Sequence, residues 1–289
     1  TRLRELAAGH AMRDFLLFAA ELAHVQHEVL QDYPEVALPS ADDLLAAGRA
    51  AQAPLPAPLW PRDPAWRGAL RRMLELLVPR LAGSPALAAV QALLVLEDDH
   101  LEGQAELLLQ GAAGLDMSAA PLVAAGLQVY WTHMVLATQQ AHGAARQEPF
   151  GRTLDATLCP CCGSLPTASI TRLDASGSNY RYLHCSLCST QWHMVRVKCS
   201  HCESTKGIHY HSLEAVATDG AKQDANMASV QAETCDECGH YLKMVRMERE
   251  LHVEPVADDL ASLTLDILVS EAGYQPHGIN LLLLTGEGD

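Results

Sequence analysis

Eight of the nine cysteines in this 289-residue chain fall into four Cys-x-x-Cys pairs: Cys159/Cys162, Cys185/Cys188, Cys199/Cys202 and Cys235/Cys238. Two residues between ligands let one tight turn present two sulfurs to the same ion. A tetrahedral thiolate site needs four sulfurs about 2.3 Å from its metal. Four such turns make two mononuclear sites. Cys161 is the odd cysteine. It sits beside Cys162, which has the right spacing, and adjacent cysteines cannot easily both reach one ion, so Cys161 is expected not to be a ligand.

An internal repeat argues for the pairing of the turns. Cys185, Cys188, Met194, Val195 and Arg196 recur fifty positions later as Cys235, Cys238, Met244, Val245 and Arg246, with Trp192 and His193 replaced by Leu242 and Lys243. The first knuckles, Cys159/Cys162 and Cys199/Cys202, are offset by forty. Each unit reads as knuckle, β-rich excursion, knuckle and closing strand. A repeated unit is most simply one that closes its own site, which favours Cys159, Cys162, Cys185 and Cys188 on one ion and Cys199, Cys202, Cys235 and Cys238 on the other. Cross-bracing between the units is the alternative. Gly163 and Gly239 follow the second cysteine of their knuckles, where positive φ lets backbone N–H groups turn toward the thiolates. Ser189 and Glu203 occupy that place in the other two, which are expected to be less regular.

The elements that must position these turns are of two kinds. Residues 1–150 read as a helical domain. Phe15, Phe18, Leu22, Val25 and Val29 lie on one helical face, and Pro34 and Pro39 end that segment. Ser40 is an N-cap followed by acids. Residues 51–64 are a Pro-rich connector without regular structure. Leu70, Leu74, Leu77 and Leu81 form a second stripe that Pro79 kinks or shortens. Ser84-Pro85 opens a helix running toward Gly111, and Val123, Leu127, Tyr130 and Met134 mark a last long one ending near Gly143. Residues 144–158 read as a linker. Between the knuckles the hydrophobic period drops to two, at Tyr180–His184, Trp192–Val195 and Ile208–His211, with a hairpin loop over 174–179. A helix returns after Val256, with Leu260, Leu263 and Ile267 on one face and Gly273 as its stop. The apolar tail from His277 packs back onto the protein. The fold class is therefore α+β and multidomain: helical residues 1–150, a first β-rich four-cysteine metal module at 151–198, a second at 199–256, and a C-terminal helix and tail at 257–289.

The net charge is −15, with six acids and no base after residue 256. This is not the basic footprint of a nucleic-acid binder. No apolar run approaches the roughly 20 residues of a membrane span, and the first residues carry no signal-peptide h-region. The expected compartment is the cytosol, where Cys-x-x-Cys pairs serve as ligands rather than disulfides. Other polar groups read as structural. Glu97-Asp98-Asp99-His100 points in four directions around a solvated helical turn, and His24 and His27 lack a third ligand. His184, His193 and His201 beside the knuckles pack or hydrogen-bond near the sulfurs, and Trp192 shields the first site. There is no catalytic constellation, so the chain is not expected to be an enzyme.

The order Cys-Pro-Cys-Cys-Gly-Ser-Leu-Pro, Tyr-Leu-His-Cys-Ser-Leu-Cys-x-x-x-Trp-His, Val-Arg-Val-Lys-Cys-Ser-x-Cys, Cys-x-x-Cys-Gly-x-Tyr-Leu-Lys and Ala-Asp-Asp-Leu-Ala-Ser-Leu-x-Leu-Asp resembles the formate dehydrogenase accessory proteins, the FdhE family. The match is specific from Cys159 onward, whereas the helical half agrees in size and type. At the tail, Asn280 is followed by Leu281 where the family usually has Pro-Phe. The resemblance implies a cytoplasmic maturation factor that binds the formate dehydrogenase catalytic subunit. It also implies rubredoxin-like modules holding iron, rather than zinc, on the eight paired cysteines. Spacing alone suits both ions and leaves the oligomeric state open. The alternatives are a rubredoxin-like electron carrier and, opposed by the charge, a zinc-ribbon nucleic-acid module.

Overall fold

The computed structural model describes residues 1–143, 150–151, 153–173, 179–213 and 228–284. Its first part is a helical body: α1 (Arg2–Leu6), α2 (Arg13–Gln31), α3 (Ala41–Ala50), α4 (Ala65–Leu77), α5 (Ala86–Leu94), α6 (Asp98–Gln110) and α7 (Ala120–His142). The stripe of α2 buries Leu22, Val25 and Val29, against α4 and α7. Ser40 and Asp43 form a capping box at the start of α3, each side chain accepting from the other's backbone N–H. Pro79 ends α4, and the chain tightens into a 3₁₀ turn over Val78–Leu81.

The helix expected from Ser84 to Gly111 is two helices. The chain breaks after Leu94, with Val95 81% exposed and Glu97 extended. The acids that follow are better placed at a helix start than in its middle. Asp98 and Asp99 stand in the first turn of α6, where the helix dipole favours negative charge. Asp98 also pairs with Arg71 at 2.6 Å and Arg67 at 3.2 Å. Glu97–His100 is thus the start of a helix and part of an ion-pair cluster.

The second part is one sheet built from β1 (Pro166–Leu173), β2 (Asn179–Cys185), β3 (Gln191–Met194), β4 (Ile208–His211), β5 (Val230–Cys235), β6 (His240–Arg246) and β7 (Gln275–Pro276). Its order is β3-β2-β1-β6-β5-β4, with β7 beside β6. Each repeat unit contributes three strands, antiparallel within the unit. The units meet where β1 runs parallel to β6, Ser169 facing Met244 and Thr171 facing Arg246. They therefore share one backbone hydrogen-bond network. The hairpin loop expected over 174–179 lies, up to residue 178, outside the described residues, as do residues 144–149 and 152 of the expected linker.

The returning helix is also two helices, α8 (Pro255–Leu260) and α9 (Leu263–Glu271). Lys243 on β6 explains the break. Its Nζ donates to the Asp259 carbonyl at 2.7 Å and to Ser262 Oγ at 3.2 Å, so that carbonyl is claimed from outside the helix. The same ammonium pairs with Asp259 Oδ1 at 2.8 Å and Asp266 Oδ2 at 2.5 Å. The face turned inward on α9 carries Leu265 and Val269, while Ile267 is 52% exposed. The tail then lays β7 along β6 and crosses the end of β1, Ile279 donating to Pro166 O at 3.0 Å. It ends with Leu281 and Leu282 buried in the helical core.

Candidate metal centres

All four knuckles share one backbone form. The residue after the second cysteine has positive φ in each: Gly163 at 74°, Ser189 at 58°, Glu203 at 60° and Gly239 at 69°. The irregularity expected at Ser189 and Glu203 is absent. The turn geometry imposes the left-handed conformation even where a Cβ makes it costly, by about 1–2 kcal/mol. The N–H groups of Leu187 and Cys188 point at Cys185 Sγ, both at 3.4 Å. Those of His201 and Cys202 point at Cys199 Sγ, at 3.4 and 3.5 Å. These bonds offset thiolate charge, and they occur in the two knuckles that lack glycine.

The sulfurs gather in two sets of four, Cys159, Cys162, Cys185 and Cys188 in one and Cys199, Cys202, Cys235 and Cys238 in the other, each within 4.8 Å. In the first set the separations include 3.5 Å for Cys159–Cys188 and 3.4 Å for Cys162–Cys185. In the second, Cys199–Cys238 and Cys202–Cys235 are both 3.7 Å. Tetrahedral bonds of about 2.3 Å put sulfurs roughly 3.8 Å apart, so both sets could hold a metal. Burial pushes the Cys159, Cys162 and Cys185 thiols well up. At Cys188, hydrogen bonds from the neighbouring thiols outweigh the same burial and hold its thiol down. A dication supplies the charge that lets four such thiols ionise together.

Cys161 stays outside both sets, buried, with Thr190 Oγ1 donating to it at 3.5 Å. Among the described residues His24 and His27 join no cluster of metal-ligating groups. His184 is buried beside the first set, and burial takes its imidazole down to about 4. Trp192 donates to Ala156 O at 2.9 Å and packs against the core that contains the first set.

The sequence reading missed what anchors the first set. The Pro-rich connector is irregular, but it is also a docking strip. Leu55 N donates to Cys161 O at 3.0 Å and Ala57 N to Cys162 O at 2.9 Å, and Trp131 Nε1 on α7 holds Leu55 O. Gln128 on α7 donates to Ser186 O at 2.7 Å, inside the second knuckle. The five Pro residues between 54 and 64 signalled an extended strip, and nothing local signalled its partner. His240 and His277, beside the second set, were also missed. His201 stacks on His240 at 3.8 Å, and His277 meets His201 edge-on at 5.0 Å.

Three family models match the chain: "FdhE, N-terminal" over residues 1–148, "FdhE, central domain" over 158–196 and "FdhE, C-terminal domain" over 197–283. The chain belongs to the FdhE family. A "Protein FdhE homolog" of Cronobacter sakazakii is 39% identical over the whole chain and 87% of the relative. "Protein FdhE" of Escherichia coli O1:K1 gives the same identity and coverage. The crystal structure of the FdhE protein from Pseudomonas aeruginosa superposes with a TM-score of 0.80 at 36% identity, covering 99% of this chain and 94% of that one. The chain is thus an FdhE-family accessory protein with an N-terminal helical body and a β-rich part carrying two four-cysteine clusters. Among the described residues no helix is long and apolar enough to cross a membrane.

Proposed function

We propose that this FdhE-family protein assists the maturation of formate dehydrogenase by binding its catalytic subunit in the cytoplasm, and performs no formate chemistry itself. Family membership along the whole chain carries the reading. In it, residues 1–150, 151–198, 199–256 and 257–289 are the working units, and Cys159, Cys162, Cys185, Cys188, Cys199, Cys202, Cys235 and Cys238 are metal ligands. Iron is the proposed occupant over zinc, on the family resemblance, since an all-thiolate set suits either. When bound, iron supplies a one-electron couple that zinc lacks. The chain's own residues hold the sulfurs apart, donate N–H groups to Cys185 and Cys199, and keep water from the first set.

The test is anaerobic purification, metal analysis and capture of the catalytic subunit. Near two equivalents of iron, a red ferric form after oxidation and co-purification of the subunit are expected. Colourless protein holding only zinc would overturn the iron assignment. Failure of fully loaded protein to associate with the subunit, or normal formate dehydrogenase activity in a strain lacking it, would overturn the function.

A further inference from the structure

The two four-cysteine clusters differ in their surroundings. In the first, Cys159, Cys162, Cys185 and Cys188 are at most 3% exposed and belong to the main core of the helical body. The hydrogen bonds from Leu55, Ala57 and Gln128 close over the knuckle backbones. An open cavity of about 500 Å³ borders this set at Cys161 and Cys188, but Cys188 is only 3% exposed and the other three cysteines less. In the second, Cys202 is exposed and Cys238 half-buried, and none of the four cysteines belongs to any apolar cluster among the described residues.

A second observation points the same way. A ring nitrogen of His201 and one of His240 lie within 4.8 Å of Cys238 Sγ and of each other, which makes a further ligand group sharing one cysteine with the cluster. The two rings are nearly parallel, at 11°, so their in-plane lone pairs do not converge on one ion. His201 is the exposed member, held by its stack on His240 and its edge contact with His277, and no core side chain stands between it and solvent.

We propose that the second cluster is an exchange site for a thiophilic divalent ion, and the first a permanent structural one. An incoming thiolate, from a small thiol or a partner's cysteine, would donate a sulfur lone pair to an ion held by these four cysteines. Cys202, the exposed cysteine of the set, would be the ligand replaced, keeping the electron pair on its Sγ, with the oxidation state of the ion unchanged. His201, beside Cys238, would offer a substitute donor to an ion leaving the four cysteines, so exchange would proceed by ligand replacement.

This rests on the reading that both clusters hold an ion, and the test separates the two. Zinc is used because a colorimetric pyridylazo chelator reads its release. The full chain, reduced and loaded with two equivalents, is mixed with the chelator in the presence and absence of glutathione. One equivalent is expected to leave at least ten times faster than the other, faster again with glutathione, and without change in tryptophan fluorescence or circular dichroism. Cys202→Ser removes the fast equivalent, whereas Cys162→Ser removes the slow one and keeps the fast. His201→Ala leaves the stoichiometry unchanged and slows the fast phase several-fold. A single release rate for both ions, or a fast phase that survives Cys202→Ser, overturns the proposal, and an unchanged rate in His201→Ala overturns the substitute-donor step. Uptake of fewer than two equivalents sinks the two-ion reading and this proposal together. Absence of a formate dehydrogenase partner leaves exchange standing and removes only the maturation role.

Discussion

Arg181 is a guanidinium with no solvent exposure. It reaches from β2 to Glu233 on β5 at 2.8 Å and donates to Lys198 O, in the link between the units, at 2.9 Å. Burial pushes the Glu233 carboxyl up, against the pull of Arg181, which marks the pair as desolvated. Removing one partner of such a pair costs about 3–5 kcal/mol, whereas replacing both with apolar groups is often neutral. Urea unfolding of Arg181→Met should show that loss, and Arg181→Met/Glu233→Leu should recover most of it. A single variant as stable as the parent would show that the pair does not hold the units together. Glu102 is a second telling residue. Burial pushes its carboxyl up, but hydrogen bonds from Trp66 Nε1 and Arg62, with Arg67, outweigh this, and the net shift is down. A folded value below the unfolded one means stability that is present above the unfolded range, about pH 4.3, and lost as pH falls through the folded value. The gap in melting temperature between parent and Glu102→Gln should therefore be open near about pH 6 and close toward about pH 3. A gap constant with pH would contradict the assignment.

Among the elements, the tail is a clasp rather than a loose end. Gln275 N bonds Gly239 O and His277 N bonds Tyr241 O, both at 2.8 Å, which starts β7 beside the last knuckle. Asn280 then donates to Asp259 Oδ2 at 2.8 Å and accepts from Leu282 N. Gly278 makes the crossing possible, because a Cβ there would stand 2.6 Å from both Leu242 Cδ1 and Thr167 O. The carbonyl is backbone and cannot move aside as a side chain would, so overpacking of about 1–3 kcal/mol is expected. Gly278→Ala should lower the urea midpoint correspondingly and speed proteolysis of the C-terminal segment. Unchanged protection of that segment would mean the tail can shift without loss. At the other end of the chain Arg2 pairs with buried Asp258 of α8 at 2.6 Å. Asp258 and Asp259 are therefore internal partners of cations, although as acids near a helix start they could equally have been solvated.

Across the molecule, the first cluster sits where helical body and sheet meet, and the second on the far unit of the same sheet. Binding of a structural ion supplies on the order of 10 kcal/mol of folding free energy. Cys162→Ser should therefore remove one equivalent of metal and also lower the melting of the helical body by about 10 °C or more. Cys202→Ser should remove the other equivalent and leave helical melting nearly unchanged. Differential scanning calorimetry with metal analysis checks both. Equal thermal effects of the two variants would mean that the shared sheet, rather than the core around the first cluster, transmits the loss.

The eight paired cysteines and their sequential grouping were legible in the order of residues, because two-residue spacing and a repeated unit are local facts that any compact chain must respect. So were the helices whose stripes recur every three or four residues, such as α2 and α7, because that period is a property of the helix alone. Contacts between distant segments set the rest. The helix breaks at Val95–Glu97 and Ala261–Ser262 depend on Arg67, Arg71 and Lys243, which lie far away in sequence. The burial of Arg181 depends on Glu233, fifty-two residues on, and the docking of Leu55 and Ala57 depends on a knuckle more than a hundred residues on. The unequal exposure of two clusters with the same ligand set follows from which part of a shared sheet the helical body covers. That is settled by long-range packing, to which the spacing of the cysteines is blind.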